Sequence, residues 1–575
     1  MVKRLFEKGK KLFLSPQGSI LSAAMIIMLM IIASRVLGLV RQRVLAHFFT
    51  ASELSLFFAA FRLPDTVFEV LVFGTFSSAF IPVFTRLIKK DEKDAWRLAS
   101  SVVNIGLLVF TILAIVVSFA AKDLYQIFAP GYSLLEREKI VFLTRILFLA
   151  QGFFVVSYVL TGVLESMKRF LIPALAPIFY NLGIILGACF LSEKMLLTGP
   201  AIGVFIGALS HFLIQLPLAV KLGFRFKPKI EIDEDVKKIG RLALPRVIEV
   251  SFTQLSKMTE LYFASLIQTA SYAYYTFGNT LQLLPVGLFG ISIAKASLPT
   301  LSALAEKKED FLRVLRKTLF EMTFLITPFA ALLIVLRIPV VRLVYGTDIF
   351  TWESTVQTGM VVSAFSLGII FQATSALLAR GFYAIHDTKT PVIVSIVTIL
   401  ISIFLDWLFI RILGTPVWGL AMAFSIGSMF QSIVLYFLIM RRMAGAFVWG
   451  GLVPFGKHIL SSSVAGLVMF FFLKFFDRSV WVKRLSFLGQ IEITKNIPFQ
   501  RFVLDTRYTV NLLILTVIVG VIGIIIYLGV SILLRTKEVN TFFSLAKKIF
   551  VKREVGHIPE REKESIIPPA GETNN

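Results

Sequence analysis

Cysteine, histidine and charge are all scarce in this sequence. The single cysteine, Cys189, excludes an intrachain disulfide framework and any multi-cysteine zinc site. The five histidines are scattered and form no metal-binding pattern. There is no Walker loop, no HExxH, no GxSxG and no His/Asp cluster, so no catalytic residue and no metal site is expected, and the chain is not read as an enzyme. Charged residues are only 16% of the 575, against 57% hydrophobic, and the mean hydropathy is +0.82. That composition excludes a soluble globular enzyme. Acids are the scarcer sign, 35 against 59 Lys and Arg, which leaves a net charge of +24. The basic residues stand in short clusters between long apolar runs, a pattern of membrane topology rather than of nucleic-acid binding.

What is present is hydrophobic length. A span needs about 20 mostly apolar residues, and fourteen are expected, at 20–46, 60–85, 98–121, 139–165, 171–192, 199–220, 240–267, 272–304, 315–337, 355–381, 390–412, 415–440, 454–475 and 508–534. The run from Ile20 to Ile32 follows Lys3, Arg4, Lys8, Lys10 and Lys11 as a secretory signal would, but no small-residue cleavage site follows. It is read as the first span, with a cytoplasmic segment before it. An even number of spans puts both termini on one side. Loops after even-numbered spans are basic, as at Arg86, Lys89 and Lys90, or Lys221, Arg225 and Lys227, whereas those near 47–59 and 268–271 hold no Lys or Arg. Both termini are therefore expected in the cytoplasm.

An internal repeat organises these spans. FGTFSSAFIPVFT from Phe73 parallels FGISIAKASLPTLS from Phe289, and GVLESMKRFLIPALAPI (Gly162 to Ile178) parallels ARGFYAIHDTKTPVIVSI (Ala379 to Ile396). Equivalent positions, such as Gly74 and Gly290 or Pro173 and Pro391, lie 216 and 218 residues apart. Six spans per repeat give both halves the same orientation, the arrangement of transporters whose two bundles rock about a central cavity. The expected fold is an all-α integral membrane protein of about 14 transmembrane helices, with two six-helix lobes in a parallel repeat and an accessory C-terminal helix pair. Its divisions are an N-terminal cytoplasmic segment 1–19, an N-lobe 20–220, a basic cytoplasmic linker 221–239, a C-lobe 240–440, accessory helices within 441–534 with an external loop 476–507, and a cytoplasmic tail 535–575 that is disordered toward its end. Gly183 with Gly187, and Gly203 with Gly207, carry the small-residue spacing of close helix packing.

Charges inside the spans point to a wet cavity, because one charge at the bilayer centre costs at least about 2.5–3.5 kcal/mol. Span one carries Arg35 and Arg41, six residues apart and not quite on one face, with Arg43 nearer its external end; Arg62 opens span two. A guanidinium holds its charge and grips phosphate oxygens through a fixed fork, so a cavity lined by Arg35, Arg41 and, more weakly, Arg62 suits a pyrophosphate-bearing cargo. Span seven adds Arg246 and Glu249, read as an internal ion pair, then Lys257 and Glu260. Glu260, and Asp406 with Ser402 one turn before it, make a candidate coupling-ion or proton site, although Lys257 could neutralise Glu260 instead.

Five segments in order, SRVLGLVRQ (Ser34 to Gln42), FFAAFRLPD (Phe57 to Asp65), GTFSSAFIPVF (Gly74 to Phe84), PVGLFGISIAKASLPTLS (Pro285 to Ser302) and LLARGFYAIHDTKTPV (Leu377 to Val392), resemble the MurJ (MviN) lipid II flippases of the multidrug/oligosaccharidyl-lipid/polysaccharide exporter superfamily. The resemblance implies fourteen spans in two six-helix lobes and a further helix pair whose groove holds a lipid tail. It also implies transfer of lipid-linked peptidoglycan precursor to the outer leaflet by alternating access, without ATP. Arg35 and Arg41 match the two span-one arginines that contact the precursor's diphosphate and sugar headgroup. Several family charges are absent: Ser55 (with Glu53 nearby), Phe68, Glu69, Phe73 and Thr280 stand where the family has charged residues, Glu69 at a basic position, and Lys295 is a candidate replacement.

The expected activity is thus that of a lipid II flippase of the bacterial cytoplasmic membrane, driven by membrane potential or a coupling cation and needing no other cofactor. Expected partners are lipid II, membrane lipids and other cell-wall synthesis proteins, with no nucleic acid, and the expected state is a monomer. The alternatives are an exporter of another lipid-linked oligosaccharide or of amphipathic cations, and a non-transporting scaffold for cell-wall enzymes.

Overall fold

The computed structural model describes residues 20–73, 79–444, 453–477, 506 and 508–540, with the side chains of 20–28, 73 and 244–246 left undescribed. The segment 1–19, nearly all of the loop 476–507 and the tail beyond 540 lie outside these residues, as do the side chains of Phe73 and of Arg246 in its anticipated pair with Glu249.

The regular elements are helices. The first repeat contains α1 (Ile20–Phe48), α2 (Ala51–Ala60), α3 (Arg62–Phe68), α4 (Ile81–Lys90), α5 (Glu92–Phe128), α6 (Leu134–Ser166), α7 (Leu171–Met195), α8 (Thr198–Leu213) and α9 (Leu216–Lys221). The second contains α10 (Glu234–Ile267), α11 (Ser271–Pro285), α12 (Ser292–Ala303), α13 (Lys308–Val335), α14 (Arg337–Tyr345), α15 (Trp352–Ala384), α16 (Lys389–Trp407) and α17 (Trp418–Ala444). The accessory pair is α18 (Val453–Phe476) and α19 (Thr509–Leu533). Among the described residues, eleven helical spans are long and apolar enough to cross a membrane by length and composition alone. Three more complete fourteen: α1, the broken segment from α2 to α4, and α10. These are spans one, two and seven, which carry Arg35, Arg41, Arg62, Lys257 and Glu260.

Span two corrects the sequence expectation of an external loop at 47–59 followed by a continuous helix. Thr50 and Glu53 form a reciprocal capping box, Glu53 N–H donating to Thr50 Oγ1 at 3.3 Å and Thr50 N–H to Glu53 Oε2 at 2.9 Å. A helix therefore starts inside the supposed loop. It breaks at Phe61, because Pro64 has no N–H to give the carbonyl of Ala60. Thr144 Oγ1 donates to that carbonyl instead, at 3.0 Å, and the Tyr125 hydroxyl donates to Ala59 O at 3.0 Å. Both hydroxyls come from neighbouring helices, which is how a membrane-buried helix break has its backbone satisfied.

The repeat is written in the backbone as well as the sequence. A π-helical turn at Glu69–Phe73 recurs at Val286–Ile291, its start displaced by 217 residues. Helix-capping hydroxyls recur at Ser133 and Thr351, and left-handed residues at Lys168 and His386 and again at Leu196 and Gly414, each pair 218 apart. The most enclosed spans, α6 and α15, begin at Leu134 and Trp352, again 218 residues apart. Each forms the centre of its lobe. α15 packs on α11, α12, α13 and α17, while α6 packs on α2, α5 and α8.

Close approach inside the N-lobe depends on glycine. A Cβ on Gly183 would lie 2.4 Å from Gly207 Cα, and one on Gly187 would lie 2.5 Å from Gly203 Cα. The α7 and α8 backbones touch along this stripe, which fits dispersion-driven packing in lipid, where burying apolar surface against a neighbour gives no hydrophobic gain. Outside the lobes, α18 and α19 pack on each other and on α13. Their outer faces and that of α5 remain apolar and exposed, as at Phe119 and Leu533, each 81% accessible.

Candidate functional site: the seam between the lobes

The lobes meet along α1, α2, α3, α10, α11 and α14. On the face opposite the described chain ends, the seam is dense with hydrogen bonds. Arg43 Nη1 donates to Leu343 O at 2.7 Å and to Val344 O at 3.2 Å, closing the carbonyl end of α14. Gln42 Nε2 donates to Thr280 Oγ1 at 2.9 Å and Gln42 Oε1 accepts from Tyr345 OH at 2.9 Å. Thr347 Oγ1 donates to Ala46 O at 2.7 Å, and Ala273 N–H donates to Ser55 Oγ at 2.8 Å. Gly131 completes this face: its N–H meets Ser265 Oγ at 3.2 Å, and a Cβ there would fall 2.0 Å from Ser265 O.

Half-way along α1, Arg35 is exposed and reaches the second lobe at the π-helical turn, where its guanidinium lies 3.0–3.3 Å from the position a Cβ on Gly287 would take. Arg41 is partly buried, within electrostatic range of the Tyr180 and Tyr345 hydroxyls. The two arginines therefore point to different neighbours, in keeping with their six-residue spacing. Arg62, at the start of α3, sits with its guanidinium carbon 5.8 Å from the ring centre of Tyr272 and within range of Asp65, Glu69 and Glu260; its Nε is buried without a hydrogen-bond partner among the described residues. Arg43, placed by sequence near the external end of its span and able to snorkel there, instead holds backbone carbonyls of the other lobe.

The acids of the seam form pairs that spacing could not reveal. Gln151 Nε2 donates to Asp65 Oδ1 at 2.7 Å within the N-lobe. Glu69 pairs across the lobes with Lys257, Nζ to Oε2 at 3.1 Å, and also accepts from Gln254. Sequence proximity makes Lys257 a candidate to neutralise Glu260, but its ammonium is committed to Glu69. Glu260, Asp406 and the Tyr275 hydroxyl lie within electrostatic range of one another. Asp406 is 4% exposed, with Oδ1 lacking a partner among the described residues. Ser402 shares its buried face and packs against Gly427 of α17. The structure thus places Glu260, Asp406 and Ser402 within the C-lobe, with Glu260 also in electrostatic range of Arg62 at the seam. No group of three or more metal-ligating side chains occurs among the described residues.

The family described as lipid II flippase MurJ matches residues 17–490. This chain belongs to that family. It is 31% identical over 435 residues to a probable lipid II flippase MurJ of Vibrio cholerae, covering 72% of this chain and 82% of that one. A probable lipid II flippase MurJ of Haemophilus influenzae is 29% identical over 500 residues, covering 80% and 96%. Among solved structures, a lipid II flippase MurJ in an inward closed conformation is 25% identical with a TM-score of 0.70, covering 89% of this chain and 99% of that one. An inward-facing multidrug resistance MATE transporter of the MOP superfamily, 16% identical with a TM-score of 0.62 over 72% of this chain and 95% of that one, shares the fold.

Three of the positions where the resemblance leads one to expect other residues have definite local partners. Ser55 accepts a backbone N–H from the first turn of α11, a hydrogen bond that a carboxylate could also accept. Thr280 accepts from Gln42 and donates to Thr276 O, joining α1 to α11 without a charge. Glu69 has become the N-lobe half of the ion pair with Lys257. Lys295, on α12, is exposed. Sequence reasoning overlooked Asp65, Gln254 and Tyr275; the tyrosine-rich start of α11, SYAYYT, was the available signal.

Proposed function

We propose that this chain is a lipid II flippase, moving undecaprenyl-diphosphate-linked peptidoglycan precursor from the inner to the outer leaflet of a bacterial cytoplasmic membrane by alternating access, for cell-wall synthesis. Membership of the family supports the reading, and the observation that carries it is Arg35: a permanently charged group, exposed at mid-span, that bridges α1 and the π-helical turn of the opposite lobe. Both termini lie in the cytoplasm, as the basic loops require. In the inward-open state Arg35 and Arg41 attract the diphosphate through charge-assisted hydrogen bonds, and Arg62 adds to the positive potential. The polyprenyl tail stays in lipid or in the groove beside α18 and α19. Rocking of the lobes then opens the face held by Arg43, Gln42 and Tyr345 and releases the headgroup outside.

An anion moving outward runs down an inside-negative potential, a gain of about 2.3 kcal/mol per charge per 100 mV, so the potential is a sufficient drive. A coupling cation at Glu260, Asp406 and Ser402 is a second source: a buried carboxylate with an unpartnered oxygen is where such an ion would be held. No other cofactor and no bond-making step is involved, and one chain supplies both lobes of the pathway, so the working unit is a monomer. Membrane lipids and other cell-wall synthesis proteins are its remaining partners. Glu260→Gln with Asp406→Asn leaving transport unchanged would remove the coupling proposal.

The test is complementation of a conditional lipid II flippase mutant by the parent, Arg35→Ala and Arg41→Ala at matched membrane levels. Rescue by the parent alone supports transport through these arginines. Failure of a well-expressed parent moves the reading to export of another lipid-linked oligosaccharide, which Glu69 and Thr280 favour because they lower the positive charge of the cavity. Full rescue by Arg35→Ala would instead favour a non-transporting scaffold.

A further inference from the structure

Away from the seam, a cavity of about 410 Å³ opens where α13, the start of α18 and the end of α19 meet, at the face bearing the termini. Its charged lining is Lys317, Lys457, Arg535 and Lys537 with Glu321 and Glu538. Both acids already have a basic neighbour: Glu321 lies 3.9 Å from Lys317, and Glu538 lies 3.5 Å from the imidazole of the buried His458. Lys457 donates to Leu534 O at 2.8 Å, closing the carbonyl end of α19. Arg535 and Lys537 have no acidic partner among the described residues. Their simplest role is to complement the negative end of α19. That role does not explain the backbone: Arg535 holds φ at +51°, where glycine is the ordinary occupant and any other residue is strained by roughly 1–2 kcal/mol. Lys168, Leu196 and His386 hold a positive φ as well, so it is the cavity and its cations, not the backbone, that point to a ligand.

We propose that this cavity binds the phosphodiester headgroup of an anionic glycerophospholipid of the terminus-bearing leaflet, cytoplasmic in the orientation argued above. Its volume falls within the range of about 300–1,000 Å³ usual for small-ligand sites. Basic pockets between helices at this depth are headgroup sites. A lipid is favoured over a soluble phosphate by what adjoins it. Leu533 is 81% and Ile532 54% exposed, two and three residues before Arg535, and Leu460 is 52% exposed on α18, so an acyl chain has an apolar track leading from the cavity. A second cleft of about 480 Å³ along α13 shares Phe320 with the first; Arg313 and Glu309 line it with Arg316, and Arg313 lies 3.3 Å from Asp310, so Arg316 is the cation this cleft adds. The bound lipid would tie α18 and α19 to α13, fixing the accessory pair against the C-lobe.

The test uses the full chain in phosphatidylcholine nanodiscs with rising fractions of phosphatidylglycerol, and reads the thermal unfolding midpoint. The parent is compared with Arg535→Gly/Lys537→Gln and with Lys89→Gln/Lys90→Gln, which removes two cations from the same membrane face on α4. The parent midpoint should rise with phosphatidylglycerol. The pocket variant should need at least about a tenfold higher fraction for half the rise, given the usual contribution of each basic residue near an anionic surface. The α4 variant should respond as the parent does. Glycine accepts the backbone at 535, so the pocket variant should melt no lower than the parent in pure phosphatidylcholine, separating lost binding from lost folding. A parent without any rise, a pocket variant with an unchanged response, or an α4 variant that loses as much would each overturn the proposal. Inorganic phosphate reproducing the full rise in pure phosphatidylcholine would overturn its lipid part. None of these readouts depends on flippase activity, so they stand or fall apart from the function proposed above.

Discussion

The two faces of the interlobe seam are closed by different chemistry. On the face opposite the described chain ends, external in the orientation proposed above, backbone carbonyls and amides are gripped by Arg43, Thr347 and Ser55, side-chain amide and hydroxyl groups interlock at Gln42, Thr280 and Tyr345, and Gly131 lets a loop touch the end of α10. Toward the opposite, cytoplasmic side the lobes are joined by ion pairs that water can reach: Lys257 to Glu69 at mid-span, about a third exposed on each side at 31% and 32%, and Arg86 to Asp235 at 2.5 Å nearer the terminus-bearing face, with side chains 56% and 27% exposed. Buried hydrogen bonds are costly to leave unmade, whereas exposed ion pairs contribute little net energy. The external side is therefore the firm gate in this state and the cytoplasmic side the loose one, the asymmetry expected of a transporter that first opens to a cargo made inside.

That comparison can be broken at its strongest point first. Labelling by a membrane-impermeant maleimide, in a Cys189→Ser background, reports opening at Thr276→Cys for the external face and at Val250→Cys for the cytoplasmic face. Gly131→Ala should have the largest effect. Its new Cβ would meet the Ser265 backbone, which cannot rotate away, and a cost near about 3 kcal/mol should raise external labelling roughly a hundredfold or prevent folding. Arg43→Met keeps the length but loses two bonds to α14 carbonyls, about 2 kcal/mol, and should raise external labelling by more than about tenfold with no rise at the cytoplasmic site.

The cytoplasmic face should respond less. Glu69→Gln should raise labelling at Val250→Cys about fivefold, equivalent to about 1 kcal/mol for a partly exposed pair. Exchanging the charges, with Glu69→Lys and Lys257→Glu together, should restore the parent rate. Arg86→Ala should change labelling by less than about fivefold, an effect that fades at high salt because its pair is the more exposed. Equal sensitivity of the two faces would refute the asymmetry.

Much of the fold was legible because membranes impose simple rules. Fourteen apolar segments, the basic loops and the repeat offset could be read from residues alone, since each follows from local composition or self-similarity. The break in span two was also present in the sequence, as a capping box at Thr50 and Glu53 and as Pro64, but hydropathy averages over such signals. The seam was legible only in part. Arg35, Arg41, Arg62, Glu260 and Asp406 stood out because charge is rare in a span. Their partners did not: Glu69 and Lys257 are separated by 188 residues, and no local pattern associates them.

The sequence alone determined that this chain is a duplicated bundle of membrane helices with charges held inside it, because burying polar backbone and charge in lipid carries a cost that each segment must offset for itself. Only the tertiary structure decided which charges neutralise one another, which residue grips the opposite lobe, and which face is closed more firmly. Those outcomes depend on distances of a few ångströms between side chains far apart in the chain, and only the packed lobes set them.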